Sequence, residues 1–272
     1  MSEMLKRTLG RSLATARIAA KMTMTDVTNT RVFGSRQKLW RIETGQGPYR
    51  WSEVQALADI YRVDLGTRSQ WVDWAMKAED SGWWEDFSSA VWDQKFGLYL
   101  ELERAASTIM VCNEELIHGL LQTDSYHRSI LAVNPPPDSE AAEQLLKLRV
   151  ERQAATLERS QPVHLKLILS EASLNHQLGG PAVLAEQINR LIELDERPNI
   201  SVRYLPFALG GHPSMRGAYT LLQFDDDDLP AVAYVAALDG GRFVEEKATV
   251  QRFMQNARLL SGMAVPIKEH RR

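Results

Sequence analysis

The chain holds a single cysteine, Cys112, in 272 residues, so no internal disulfide can form and the fold has to rest on packing. Flanked by Val111 and Asn113, that thiol reads as a small buried apolar group in preference to a redox sensor. No apolar run reaches the roughly 18 residues that a membrane-crossing helix needs, and the first residues carry no apolar signal core, so a cytoplasmic protein is expected. The six histidines are scattered, with no His-Glu-x-x-His pair and no cysteine partners, and no metal centre is expected. No P-loop, nucleophile elbow or dinucleotide fingerprint occurs, which argues against an enzyme and against a bound cofactor.

Charge of one sign is also nearly absent from the total: 32 Lys and Arg stand against 35 Asp and Glu, a net of −3. The balance conceals a split. Residues 1–78 carry 13 basic and 7 acidic side chains, a net of +6, and the rest of the chain carries −9. A basic head on an acidic body is the electrostatic footprint of a nucleic-acid-binding module joined to something else.

Within the head, residues 9–63 break into short segments with apolar residues at helical spacing. The run Ser35-Arg36-Gln37-Lys38-Leu39-Trp40-Arg41-Ile42-Glu43-Thr44-Gly45 has an N-cap residue at Ser35, Leu39 and Ile42 on one face and a terminating Gly45. Arg36, Gln37, Lys38 and Arg41 are left on the other face. Arg matches guanine O6 and N7, Gln matches adenine N6 and N7, and Lys or Arg matches phosphate, so this face is equipped for a major groove. A solvated basic helix face is the plainer reading, but the neighbours favour the first. Leu9, Leu13 and Ala16 define a helix before the run. Thr23 with Asp26 three residues on starts another, and Val54, Leu57, Ala58 and Tyr61 define one after it. Short helices around one small core form the helix-turn-helix layout. Thr25, Ser35, Arg36, Gln37, Lys38, Trp40 and Arg41 are the expected DNA contacts.

The Ile42-Glu43-Thr44-Gly45 ending resembles that of the Xre/Cro-like helix-turn-helix family. Thr28 departs from that pattern, standing where a small Ala usually packs, and residues 29–34 look one residue longer than the usual turn.

Residues 79–95 read as a seam. Residues 67–79 can form a helix carrying Trp71 and Trp74, followed by Trp83 and Trp84, and these four tryptophans are expected to pack two domains together or to form an aromatic ligand box. From residue 96 onward, 96–109 and 139–159 read as amphipathic helices with Pro135-Pro136-Pro137 in a loop between them. Residues 163–169, 200–205, 218–224 and 232–236 read as strands, 181–194 as a connecting helix and 244–261 as a closing one. The fold class expected is α+β overall: an N-terminal all-α helix-turn-helix domain (1–78), the seam, and a C-terminal mixed α/β domain (96–272). Asp225-Asp226-Asp227-Asp228 reads as a solvated hairpin tip, since a calcium loop needs alternate ligands and a distal Glu.

Gly82-Trp83-Trp84-Glu85-Asp86, Gly119-Leu120-Leu121-Gln122-Thr123, Arg149-Val150-Glu151-Arg152-Gln153, Ser170-Glu171-Ala172-Ser173-Leu174 and Gly210-Gly211-His212 follow one another as in WhiJ-like regulators of actinobacteria, which the chain resembles over nearly its whole length. It departs at Ile117-His118, where that family has Val-Pro. The resemblance implies a transcriptional regulator with a C-terminal effector domain, encoded beside a small partner protein.

Two features of the second domain hold possible chemistry. Arg149, Arg152 and Gln153 share a helix face at i, i+3 and i+4, where they can bind a carboxylate or phosphate near Gln122, or pair internally with Glu101, Glu103 or Glu171. His164-x-Lys166 with Glu171 has the outline of a phospholipase D motif, but only one copy occurs and Glu replaces Asp, so coincidence is the better reading. The sequence therefore points to a homodimeric regulator of double-stranded DNA, with Trp83, Trp84, Gln122, Arg149 and Arg152 as ligand- or partner-binding candidates. The alternative is an antitoxin-like protein that neutralises a small partner and autoregulates its operon.

Overall fold

A computed structural model describes residues 2–30, 35–46, 50–79, 87, 94–133, 136, 138–213, 215, 217–225, 230–237 and 241–270. Two compact units emerge, Met1–Glu85 and Asp86–Arg272.

The first unit is helical: α1 (Ser2–Ala19), α2 (Met24–Asn29), α3 (Arg36–Glu43), α4 (Trp51–Tyr61) and α5 (Leu65–Glu79). Thr23 caps α2 in a reciprocal box with Asp26, and the Ser35 hydroxyl accepts the Lys38 amide at 3.2 Å to start α3. Each helix gives one apolar stripe to a common core: Leu9 and Leu13, Val27, Leu39 and Ile42, Val54 and Leu57. Trp71 and Trp74, expected at a seam between domains, belong instead to this head core. Their spacing on α5 puts both on the stripe that faces α1 and α4, where two indoles exclude more water than smaller side chains would.

The second unit is built on a seven-stranded mixed sheet in the order β6-β5-β4-β1-β2-β3-β7. The strands are β1 (Thr108–Glu114), β2 (His164–Ser170), β3 (Ile200–Leu205), β4 (Tyr219–Gln223), β5 (Val232–Val235), β6 (Arg242–Val244) and β7 (Val265–Pro266). β1, β2 and β3 run parallel, and β4, β5, β6 and β7 add antiparallel edges. The helices are α6 (Gln94–Ala105), α7 (Asp124–Val133), α8 (Ser139–Leu157), α9 (Pro181–Asp195) and α10 (Lys247–Met263). α7 and α8 make the crossover from β1 to β2, α9 makes the one from β2 to β3, and α10 packs through Val250, Ala257 and Leu260 on Cys112, Ile168 and Leu221. Cys112 is buried in that layer.

The α+β class and the order of the two regions are as expected, and three elements differ. The helix expected over 96–109 stops at Ala105, and the central strand β1 follows it. A central strand is covered on both faces, so Thr108 to Cys112 lacks the alternation that marks a strand, and a short apolar run does not distinguish strand from helix. β6 and β7 have only 3 and 2 residues, too few to leave a pattern. The last helix, expected to begin at Val244, starts at Lys247, and Val244 is the final residue of β6. Most of the acidic tip (226–228), the turn at 31–34, Pro135 and Pro137, and both Trp83 and Trp84 lie outside the described residues.

Candidate nucleic-acid interface

α3 is held by a buried ion pair at its inner end. Leu39, Ile42 and Glu43 fall at i, i+3 and i+4, so the last position of the apolar stripe is a carboxylate. Arg17 of α1 grips it with two donors, Nε to Oε1 at 2.7 Å and a second to Oε2 at 2.9 Å, and the Tyr61 hydroxyl of α4 donates to Oε1 at 3.1 Å. The remaining Arg17 donor reaches the Met22 carbonyl at 2.9 Å. The bond to Glu43 holds the Arg17 guanidinium above its ordinary range, and burial pushes the Tyr61 hydroxyl up. A carboxylate taken out of water would be costly alone, but here every oxygen is met by a donor from another helix. Its effect is to fix α3 between α1 and α4.

Glycine makes the same junction possible. Gly10 passes so close to the end of α3 that a Cβ there would stand 2.5 Å from the Ile42 carbonyl oxygen, and Gly45 turns at φ +69° with the Arg7 backbone 2.8 Å from where its Cβ would be. No larger residue fits either place without moving α3.

With Leu39, Ile42 and Glu43 turned inward, Arg36, Gln37, Trp40 and Arg41 face solvent, and Trp40 is 46% exposed. Thr25, in the first turn of α2, and Ser35, the N-cap of α3, are also exposed. No hydrogen bond or ion pair among the described residues holds Arg36, Gln37 or Arg41. Lys38 differs, since its ammonium is paired with Glu53 of α4. The first turn of α3 contains no acidic residue and places Arg36 at the positive end of the helix dipole, where the helix itself disfavours a cation. An incoming anion is what that end lacks. The Arg17–Glu43–Tyr61 clamp was missed in the sequence, although the i, i+4 relation of Leu39 and Glu43 carried the signal.

Of the ligand- or partner-binding candidates, Gln122, Arg149 and Arg152 of the second unit are brought together, each with an internal partner, whereas Trp83 and Trp84 lie outside the described residues. Arg152 of α8 holds the fully buried Glu103 of α6 through two bonds of 2.6 and 2.7 Å. Burial pulls the Arg152 guanidinium down, but Glu103 outweighs it and keeps the group above its ordinary range. The Tyr99 hydroxyl donates to Glu103 at 3.0 Å and meets His118 Nε2 at 2.9 Å. Burial, then the nearby Arg152, drop the His118 ring to about 4, so it stays neutral. Arg149 donates to the Gln122 carbonyl at 2.8 Å and to Asp124 at 2.9 Å. Gln122 donates to the Ile117 carbonyl at 2.7 Å, and Gln153 reaches the carbonyls of Gly119 and Gln122. Of the two outcomes open for Arg152, the carboxylate it binds is the chain's own Glu103. Glu171 is used elsewhere, accepting the Phe207 amide. His164 and Lys166 are exposed on the same side of β2, and none of the described residues brings a second such pair to them.

Two family models match the chain. One, described as a helix-turn-helix domain, matches residues 8–71, and the other, a domain of unknown function designated DUF5753, matches residues 96–272. No curated protein matches the chain, and no solved structure does. None of the described helices is long and apolar enough to cross a membrane.

Proposed function

We propose, from the premise that the chain belongs to the DUF5753 family and carries a helix-turn-helix DNA-binding domain in front of that region, that it is a sequence-specific transcriptional regulator which reads a double-stranded operator with α3. The observation that carries this reading is the division of α3 into a face locked by Leu39, Ile42 and the Arg17–Glu43–Tyr61 clamp, and an open face of Arg36, Gln37, Trp40 and Arg41. A rigidly held helix with planar, multi-donor side chains on its outer surface meets the requirement for bidentate readout of base edges. Thr25, in the first turn of α2, and Ser35, at the start of α3, carry exposed hydroxyls that suit phosphate. Lys38 would reach DNA only by exchanging Glu53 for it.

Within that reading the protein is of the Xre type and of the WhiJ-like kind found in actinobacteria, it works in the cytoplasm as a homodimer, and its C-terminal unit is an effector domain with no catalytic role. The motif order from Gly82 to His212 supports the family kind. Dimerisation is favoured because one eight-residue helix reads few base pairs, and paired half-sites about one helical turn apart multiply that specificity. No feature of the described residues favours the antitoxin-like alternative.

Selection of duplexes by the full chain from a random pool, followed by footprinting, tests the proposal. Enrichment of a motif with two symmetric half-sites is expected. A pool that stays random at moderate salt would overturn sequence-specific binding, and a single unpaired site would overturn the dimer.

A further inference from the structure

Outside the network around Arg152, the second unit has an open cavity of about 660 Å³ between the β4–β5–β6 edge, α10 and the loop after β3. Its walls include Arg242 of β6 and Arg252 of α10, and among the described residues none that lines it is an aspartate or glutamate. In a region whose net charge is −9, two guanidinium groups with no described carboxylate lining the same cavity are unexpected. Among the described residues neither arginine has an ion-pair or hydrogen-bond partner. Asn256 adds a donor: its Oδ1 accepts the Tyr219 hydroxyl at 2.7 Å, which turns the amide NH2 group elsewhere. His212 Nδ1 is buried in the same wall with no partner among the described residues, a condition that costs free energy until something polar meets it. The other wall is aromatic, with Tyr219 and Phe253 edge to face at 4.9 Å.

The place also fits the topology. Tyr219 pairs with Cys112 towards the carboxyl end of β1, Val235 ends β5, and the loop with His212 and Met215 follows the carboxyl end of β3. Open α/β sheets accept ligands outside the carboxyl ends of their parallel strands, where the chain connections diverge.

We propose that this cavity binds a small molecule with a carboxylate or phosphate group on a flat apolar body. Arg242 and Arg252 take the oxyanion, Asn256 and His212 take polar atoms near it, and Phe253 packs against the body. The site does not depend on the DNA reading and is tested without DNA.

The full chain, labelled at its methionine methyl groups, is titrated with phenyl phosphate, with inorganic phosphate and with neutral benzyl alcohol. The signal of Met215, which lines the cavity, is assigned through Met215→Leu. Phenyl phosphate is expected to saturate, to move the Met215 signal and to bind more tightly than either other probe. Arg242→Gln with Arg252→Gln is expected to weaken it at least about tenfold, while Arg190→Gln, on an exposed arginine of α9, leaves binding unchanged. The two substituted arginines are exposed, and a thermal melt checks that the double variant still folds. Absence of saturable phenyl phosphate binding, binding that leaves Met215 unmoved, or equal affinity in the folded double variant would overturn the site. Equal affinity for inorganic phosphate would overturn the apolar body.

Discussion

Two helices of this protein carry cations at helical spacing, and they meet different ends. On α3, Arg36 and Arg41 stand in solvent beside Gln37 and Trp40. On α8, Arg152 has 11% of its side chain exposed and Arg149 has 6%, and each is bound to a carboxylate of the same unit. The pattern along the helix does not decide between these outcomes. What decides is whether another element delivers a carboxylate to the same face and covers it. α6 delivers Glu103 to Arg152, whereas α4 delivers Glu53 to Lys38 alone on the outer face of α3. A basic face signals a binding site when its partners are missing from the fold.

The sharpest way to break the comparison is to strip one member from each helix. Arg152→Ala leaves Glu103 buried without its partner and is expected to destabilise the protein by about 3–5 kcal/mol. Arg36→Ala changes stability by less than about 0.5 kcal/mol. Urea unfolding of the full chain measures both, and similar losses would mean that the arginines of α3 are bound within the fold as firmly as those of α8.

Next in size is a pH effect confined to the second unit. The buried His118 ring, lowered to about 4, stays neutral in the folded protein, while in the unfolded chain it takes up a proton below about 6.5. The unfolded state therefore binds more protons between those values, and stability should fall as pH drops from about 6.5 towards 4, by on the order of 3 kcal/mol over the whole window. His118→Gln should remove about half of the slope measured in unfolding curves taken at several pH values, since burial lowers His127 to about 4 as well and it contributes over the same window. An unchanged slope would place the proton uptake at another group.

Base readout is smaller and acts on binding alone. Gln37→Ala should cost roughly 1–3 kcal/mol on the selected operator and little on random duplex, as judged by titration of both DNAs. Equal loss on the two would remove Gln37 from the base-reading set. Smallest is the cap: Ser35→Ala should lower stability by about 1 kcal/mol in thermal or denaturant unfolding, since only the Lys38 amide loses a partner.

The head was largely legible in the sequence because its signals are local. Thr23 with Asp26, Ser35, and the Leu39–Ile42 spacing each act within a few residues, and each occurs in the structure as a cap or a core contact. What escaped is what joins distant segments. The Arg17–Glu43 pair spans 26 residues and Glu103–Arg152 spans 49, and no periodicity records which carboxylate folds over which arginine. Strand β1 escaped for another reason, since burial on both faces erased its alternation. The cavity at Arg242 and Arg252 depends on three strands, one helix and one loop, and its residues lie too far apart in the chain to form a motif.

On the proposed reading it is the free cations of α3, and not those of α8, that meet DNA. The direct test is the salt dependence of the full chain's affinity for a random duplex, compared between the wild type and the Arg36→Gln, Arg41→Gln variant. If both arginines neutralise phosphates, the slope of log affinity against log salt should become shallower by about 2. A slope equal to that of the wild type would contradict the account.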